Sequence, residues 1–381
     1  MPRLQDKLQV EIQGENRATL NNFTSAQITN DMTMPSEAAL ELGNDGTWAE
    51  IEDRIRPGTE YCVFVNDLLR LTGRVEIDDL PLDADGGSVV RFTIRTKLSD
   101  AMYTSADPGT RVKNTTIKKF ILALYRPLGY TESDFEFDQR VSRDLLTGKS
   151  SKQSKKENRK TGEQIEKMTA QQAKVQPPES IYDAADRHLR RHGLMHWDSP
   201  DGKIVIGSPD DEQDPIYKLF ANRYDNPDRN NIIAATKAID YTGIPSTVTV
   251  FGRSIGRGSA RKRIQELVND SDVLGANFHR PIIIIAEGLR TPDLARTAAQ
   301  REMSARSKRK DCWDIELDGL SHWTGSQIIP WGIDTTCQIF SDVAGGDEGI
   351  YYIHKVTLRR DAQSGDTTNL SVLKRGIWRL S

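Results

Sequence analysis

The alternation of apolar and polar residues near both ends of the chain constrains the fold more than any other feature. In the stretch 88–96, Val90, Phe92 and Ile94 alternate with arginine and threonine. Successive side chains of a β-strand point to opposite faces of a sheet, so this pattern predicts a strand with one buried and one solvated face. The stretch 313–318 alternates in the same way. We therefore predict strand-rich ends, the first of them an antiparallel meander or a small barrel.

Other runs rich in β-branched and aromatic residues extend this pattern. They are 61–65 and 71–77 in the first hundred residues, and 247–251, 336–340, 351–358 and 369–373 in the last third. One helix is predicted among the later strands. Thr291 suits its N-cap, Pro292 its first helical position, and the basic residues at 306–310 its C-terminal end.

The middle of the chain has helical patterns instead. In 114–125 the apolar residues fall at helical spacing, and Pro127 ends the run. Asn114 or Thr115 can cap its start. A second helix is predicted over 180–192, followed by a β-hairpin over 194–206. These patterns predict small α+β units between the two strand-rich ends.

The segment 149–176 stands apart because it contains very few apolar residues. Its first part, 149–160, is rich in lysine and serine, and the polar composition continues to a Pro-Pro pair at 177–178. Such a segment has little apolar surface whose burial could offset the entropy lost on ordering. We predict an exposed insertion that is dispensable for folding.

Length, charge and cysteine content set outer limits on function. The chain has 381 residues and a formal net charge of -3, which excludes a strongly basic nucleic-acid-binding protein and a polyanion mimic as default classes. Cys62, Cys312 and Cys337 form no CxxC pair, so neither a disulfide framework nor a thiolate zinc site is indicated. The start lacks a signal-peptide core, and the apolar run 281–286 is too short to cross a bilayer. We expect a soluble protein with no membrane insertion.

Three histidines at regular spacing are the candidate for a metal site. His188 and His192 would share one helix face, and His196 follows at the same interval. The segment lacks the glutamate of an HExxH motif, and Gly193 is expected to end the helix before His196. We therefore predict packed histidines at a helix end, with no metal and no other cofactor.

The motifs for catalysis and nucleotide binding are incomplete. The stretch 252–263 is rich in glycine and arginine but lacks the Lys-Ser/Thr ending of a phosphate loop, so a flexible basic loop explains it better. Acidic clusters at 78–79, 83–85 and 210–212 lie in turn-like surroundings, and there is no GxSxG elbow for a nucleophile. We assign no catalytic, cofactor-binding or metal-ligating residue, and we expect the protein not to be an enzyme.

A series of short, non-catalytic segments carries a family resemblance. The segments are 23–42, Trp48, 55–58, 71–75, 95–101, 180–194, Trp197, Ala298, Arg301 and 331–332. In their order and residue sequence they resemble the baseplate hub family of Mu-like contractile-tailed phages. This family includes late-control tail proteins and the hub half of type VI secretion spikes. The resemblance covers nearly the whole chain.

The resemblance implies a β-rich α+β fold, in which two tube-like antiparallel β-barrel domains and smaller α+β domains assemble as a trimeric ring. The first tube-like domain would be 1–98 and the second 230–381, with a helix at about 292–310. The region 99–229 would be α+β and would carry the insertion at about 149–176. Candidates for inter-domain or tube contacts are the outward charged residues Arg91, Arg95, Asp314 and Glu316.

The implied function is that of a structural hub that adapts a sixfold tail tube to a threefold central spike and forms part of the DNA ejection channel. Expected partners are two further copies of the chain, the spike and the tail tube or distal tube protein, with tape-measure and baseplate-wedge proteins as further candidates. DNA would pass through the lumen without sequence-specific binding. The protein would be made in the host bacterial cytoplasm and reside in the tail baseplate of the virion. Two alternatives stay open, a tail-tip cell-wall hydrolase and the tail tube protein itself.

Overall fold

The structure is a computed structural model of the chain. It describes residues 6–13, 18–43, 57–79, 82–83, 87–110, 116–138, 175–190, 194–223, 230–253, 263–285, 292–307, 310–324, 327–342 and 347–376. The α-helices of this part are α1 Lys97–Tyr103, α2 Ile117–Tyr125, α3 Ile181–Arg190, α4 Ser271–Gly275 and α5 Pro292–Arg306. Short 3-10 turns cover Arg126–Leu128 and Glu132–Asp134. None of the described helices is both long and apolar enough to span a membrane.

The strands run through the whole length of the chain. Those of the first half are β1 Leu8–Ile12, β2 Ala18–Leu20, β3 Phe23–Asp31, β4 Glu37–Gly43, β5 Glu60–Val65, β6 Leu68–Asp79, β7 Leu82–Asp83, β8 Gly87–Arg95 and β9 Phe135–Phe137. Next come β10 Met195–Asp198, β11 Ile204–Gly207, β12 Tyr217–Ala221, β13 Ile232–Ala238, β14 Thr247–Arg253, β15 Arg263–Asn269 and β16 Pro281–Ile285. The last are β17 Cys312–Asp318, β18 Ser321–Thr324, β19 Gln327–Pro330, β20 Thr335–Ser341, β21 Asp347–Asp361 and β22 Gly365–Lys374.

A single sheet of 14 strands combines the two strand-rich ends of the chain. Its main path is β13-β17-β22-β21-β3-β4-β8-β6-β5-β1-β2. Three further strands lie off this path: β20 pairs with β21, β12 pairs with β20, and β7 pairs with β8. The long strand β21 joins the ends, because one of its edges pairs with β20 and then with β3 while the other pairs with β22. Pairing along the main path is antiparallel, which confirms the predicted antiparallel, β-rich α+β fold. Among the described strands the path ends at β13 and β2, and barrel closure stays a prediction.

The buried face of this sheet accounts for the alternation in the sequence. Phe92 and Ile94 on β8 are 1% and 0% exposed, and Ile315 and Leu317 on β17 are each 1% exposed. All four belong to one hydrophobic cluster, which contains residues from both ends of the chain, including β1 and β22. The predicted strands with one buried face are therefore confirmed at 88–96 and 313–318. The two ends of the chain share one core.

A middle unit packs α1, α2 and α3 against the small sheet β10-β11-β9. Phe120 and Leu124 of α2 are buried there, as their helical spacing predicted. The cap of α2 is Thr116, whose side chain accepts a hydrogen bond from the Lys119 N–H at 3.3 Å. The predicted caps at 114 and 115 are therefore wrong by one or two residues, because the chain enters the helix later than the polar run suggests. The hairpin β10-β11 forms as predicted.

A third unit comprises β14, β15, β16, α4 and α5. Val248 and Val250 of β14 face Ala295 and Ala299 of α5 in a separate hydrophobic cluster. The short helix α4 follows Asp270, whose side chain accepts hydrogen bonds from two backbone N–H groups. This unit lies within the predicted second tube-like domain, and the division into 1–98, 99–229 and 230–381 stays a prediction. Of the predicted insertion 149–176, residues 149–174 lie outside the described residues. Val175 is 0% exposed and packs in the core of the middle unit, so the predicted exposure is wrong for this residue.

Candidate interaction surface

The face of the large sheet opposite its core carries a polar surface across seven strands. One cross-strand row from β8 to β13 consists of Arg95, Glu37, Thr29, Thr357, Asn369, Glu316 and Ala234. A second consists of Thr93, Ala39, Gln27, Arg359, Thr367 and Asp318. We call these rows, together with their neighbours Arg91, Glu41, Lys355, Ser371, Asp314 and Thr236, the polar face. Neighbouring strands lie about 4.8 Å apart, so the polar face is roughly 30 Å wide.

The charges at the β8 end of the polar face are matched within the chain. Arg91 Nε lies 2.7 Å from Glu41 Oε2, and the Arg91 guanidinium holds the pKa of Glu41 below its usual range. Arg95 lies 3.3 Å from Glu37 and 3.1 Å from Glu76. Two of the predicted contact residues, Arg91 and Arg95, thus have acidic partners in their own chain.

The β17 end of the polar face is acidic instead. The residues directly opposite Asp314 are Ser371 and Thr236, and those opposite Glu316 are uncharged as well. Ser371 Oγ donates a hydrogen bond to Asp314 Oδ1 at 2.7 Å. A shallow hollow of about 420 Å³ lies over this part of the face. The polar face therefore changes from paired charges at one end to a run of carboxylates at the other.

A buried arginine links the first strand-rich end to the last. Arg70 of β6 donates to the backbone carbonyl of Trp331, and burial lowers its pKa to about 10, so it stays charged at neutral pH. Asn30 Nδ2 donates to the Arg70 carbonyl at 3.4 Å. Beside it, the Tyr217 hydroxyl donates to the Pro330 carbonyl at 2.6 Å. No sequence pattern marked Arg70, because its burial depends on a loop far along the chain.

Asp6 makes a second link between the two ends. Its carboxylate accepts the Leu320 N–H at 2.6 Å and the Asn66 side-chain amide at 2.6 Å. The Arg360 guanidinium donates to the Asp6 carbonyl at 2.5 Å and to the Asp366 carboxylate at 2.6 Å. Charge-assisted bonds of this kind are among the stronger polar contacts in proteins. They hold the first strand-rich end against the β18-β19 and β21-β22 region.

A buried carboxyl group joins the middle unit to the large sheet. Asp198 Oδ2 accepts the Ser36 N–H at 2.8 Å and the Thr96 hydroxyl at 2.7 Å. Burial raises the pKa of Asp198 to about 6, although these hydrogen bonds oppose the shift. Trp197, next to it, packs with Tyr352 in a small apolar cluster between the units. Asp198 was predicted only as part of the hairpin 194–206, and no local pattern indicated its burial.

Two of the three candidate histidines, His188 and His196, are packed within the middle unit. The His188 ring lies 4.4 Å from the Phe120 ring, and the His196 ring lies 4.3 Å from the Tyr182 ring. Burial lowers the pKa of His196 to about 3, so it is neutral at physiological pH. His192 lies outside the described residues. Within the described ranges no three His, Cys, Asp or Glu side chains come together as a metal would require.

The other candidate motifs are separated from one another. The stretch 252–263 connects β14 to β15, which pair antiparallel, whereas a phosphate loop leads from a strand into a helix. Residues 254–262 of it lie outside the described part of the chain. In the acidic cluster at 210–212, Asp211 accepts the Gly376 N–H at 2.7 Å. Asp78 and Asp79 end β6, and 84–86 are not among the described residues.

Comparison with known proteins identifies the fold. No protein-family model and no curated protein matches the sequence. The tail protein from Neisseria meningitidis MC58 superposes with a TM-score of 0.74 and 16% identity, over 99% of both chains. The 43 kDa tail protein of prophage MuSo2 from Shewanella oneidensis superposes with a TM-score of 0.72 and 16% identity, over 98% of this chain and 99% of that one.

A third match is more distant. The E. coli c3393 protein is described as a component of the type VI secretion system with structural similarity to the T4 bacteriophage tail proteins gp27 and gp5. It superposes with a TM-score of 0.52 and 9% identity, over 96% of this chain and 76% of its own. Identities this low establish the fold alone. From one end to the other, the chain has the fold of phage tail proteins.

Proposed function

We propose that the chain is a structural component of a phage tail, namely the baseplate hub of a contractile tail, without enzymatic activity. The observation that carries the proposal is the single sheet built from both ends of the chain, in a fold shared over 98% or more of the chain with two phage tail proteins. A sheet of this extent offers a large rigid surface for assembly. The family resemblance of the sequence segments supports the same role.

Symmetry supplies the mechanism of the proposed hub. The two strand-rich ends would each form a tube-like module, 1–98 and 230–381, so three copies would present six modules to a hexameric tail tube. The opposite side of the ring would keep threefold symmetry for the spike. The described likeness of the E. coli protein to gp27 and gp5 supports a spike partner. On this proposal the protein is made in the host cytoplasm and resides in the virion tail.

We further propose that the polar face lines the channel for DNA. Nearly all of its side chains are polar or charged, and at its β17 end the cross-strand neighbours of Asp314 and Glu316 are uncharged. Carboxylates repel the phosphates of DNA, so the duplex would slide past without being held. Such a surface agrees with the expected passage of DNA through the lumen without sequence-specific binding.

Native mass spectrometry of the purified full-length chain at micromolar concentration tests the proposal. We expect a trimer, and a larger complex when the spike protein is added. A hexamer alone would favour the tail tube protein. A monomer that clears peptidoglycan in zymography would favour the tail-tip hydrolase. Either of these last two results would contradict the hub.

A further inference from the structure

The three-stranded sheet of the third unit has one covered and one bare face. Its order is β15-β14-β16, and α5 packs on one side over Val248 and Val250. On the other side Ile283 is 68%, Ile285 80% and Leu267 48% exposed. Ile283 and Ile285 are neighbours on this face because they lie two residues apart on β16, and Leu267 lies on the same face of β15, on the far side of Thr249 of β14. Large side chains grouped in this way form an apolar patch rather than scattered exposure.

The bare face continues to an unprotected edge. Among the described strands, β16 pairs with β14 alone and so leaves its other edge open. Its sequence is one proline followed by four isoleucines, with no charged residue. The opposite edge strand, β15, carries Glu266, which lies 3.8 Å from Arg296. Sheet edges that stay in water are usually blunted by charge, and β16 has no such protection.

The size of the patch decides what kind of occupant fits. Three strands about 4.8 Å apart and five residues long, at about 3.3 Å per residue, cover roughly 240 Å². A stable interface between two folded proteins buries about 800 Å² on each side. The patch is therefore too small to hold a second copy of the chain by itself. A single extended segment beside β16 needs much less apolar area, because its side chains would contact only the edge row Ile283 and Ile285.

We propose that the open edge of β16 binds an extended segment of another protein, which adds to the sheet as a fourth strand. The backbone of the segment would bond to the free N–H and C=O groups of β16, and apolar side chains at every second position would pack beside Ile283 and Ile285. Polar side chains at the intervening positions would face the α5 side. This binding site does not depend on the hub function proposed above.

The test uses the full-length chain and a soluble synthetic peptide in which isoleucine and threonine alternate between flanking lysines. Fluorescence anisotropy should show saturable binding of the labelled peptide. In hydrogen exchange, amides within Pro281–Ile285 should become protected when the peptide is added. A peptide N-methylated at alternate residues should not bind, because it lacks the strand donors.

Substitutions locate the site. The double variant Ile283→Lys and Ile285→Lys should weaken peptide binding at least about tenfold, since it places charge where apolar side chains would pack. The matched control is Leu267→Lys, on the same face but at the far edge, which should bind as the parent does. All three positions are exposed, so circular dichroism melting should be unchanged.

Three outcomes would overturn the proposal. One is absence of peptide binding, and another is equal binding by the parent and the double variant. The third is protection of β16 in the isolated chain that rises with protein concentration, which would show that a second copy covers this face. The first two outcomes are independent of the oligomeric state, and the third shows contact between copies, which a trimer also contains, so failure here leaves the hub proposal standing.

Discussion

At the scale of single residues, Asp198 lies buried between the middle unit and the large sheet. Burial raises its pKa to about 6 from an ordinary value of 3.8. A carboxyl group with a higher pKa in the folded state binds its proton more tightly there, so the folded state loses stability as the pH rises from about 4 to about 6. This loss amounts to about 3 kcal/mol in the free energy of unfolding. We expect the Asp198→Asn variant not to show it. Urea denaturation at several pH values measures it.

Asp201, in the adjoining hairpin turn, is the matched control. Partial burial would raise its pKa, but hydrogen bonds from Lys203 and Ser199 outweigh this and lower it. Its contribution to stability therefore has the opposite sign and is lost as the pH falls through its pKa. The Asp201→Asn variant should still lose stability as the pH rises from about 4 to about 6, because Asp198 is intact. An Asp198→Asn profile parallel to that of the parent protein would contradict the expected role of Asp198.

At the scale of elements, Gly73 fixes how closely β6 and β8 approach. A Cβ at Gly73 would lie 2.3 Å from the Arg95 carbonyl oxygen and 2.7 Å from its carbonyl carbon, so the strands would have to separate. We expect Gly73→Ala to lower the free energy of unfolding by about 1 to 3 kcal/mol. A Cβ at Gly275 in α4 would meet no atom within 4 Å, and Gly275→Ala should change stability by no more than about 0.5 kcal/mol. Similar denaturation midpoints for both variants would contradict this account of the strand contact.

Strands with one solvent-exposed face were predicted clearly from the sequence, and strands covered on both faces were predicted less clearly. Tyr351, Tyr352 and Ile353 of β21 are all at most 1% exposed. Tyr351 and Ile353 face the main core, while Tyr352 packs into the cluster with Met32 and Trp197 of the neighbouring unit. Burial on both sides removes the alternation, so the run 351–358 predicts a strand by its β-rich composition and not by a period of two. Its three partners, and the parallel pairing of β12 with β20, depend on contacts far apart in the chain that local patterns do not encode.

At the scale of the whole molecule, the two strand-rich ends should unfold as one unit because they share a sheet and a core. The third unit has its own small core and is tied to Lys310 through Asp270, at 2.8 Å, and Asp272. Hydrogen exchange under native conditions should therefore give similar opening free energies for β4 and β22, and a lower value for β14. Separate values for β4 and β22 would contradict a shared core.

The pairing of β3 with β21 has a consequence for how the chain is made. Thr29 meets Thr357, so one of the earliest strands receives its neighbour only after nearly all of the intervening polypeptide has left the ribosome. Until then the nascent first half has an open strand edge, and closing it requires a contact between residues distant in sequence, which is slow. Synthesis itself thus leaves a period in which this edge can pair with the wrong strand. The Arg91–Glu41 and Arg95–Glu37 ion pairs, on the adjacent strands β4 and β8, place charge beside that edge while it waits.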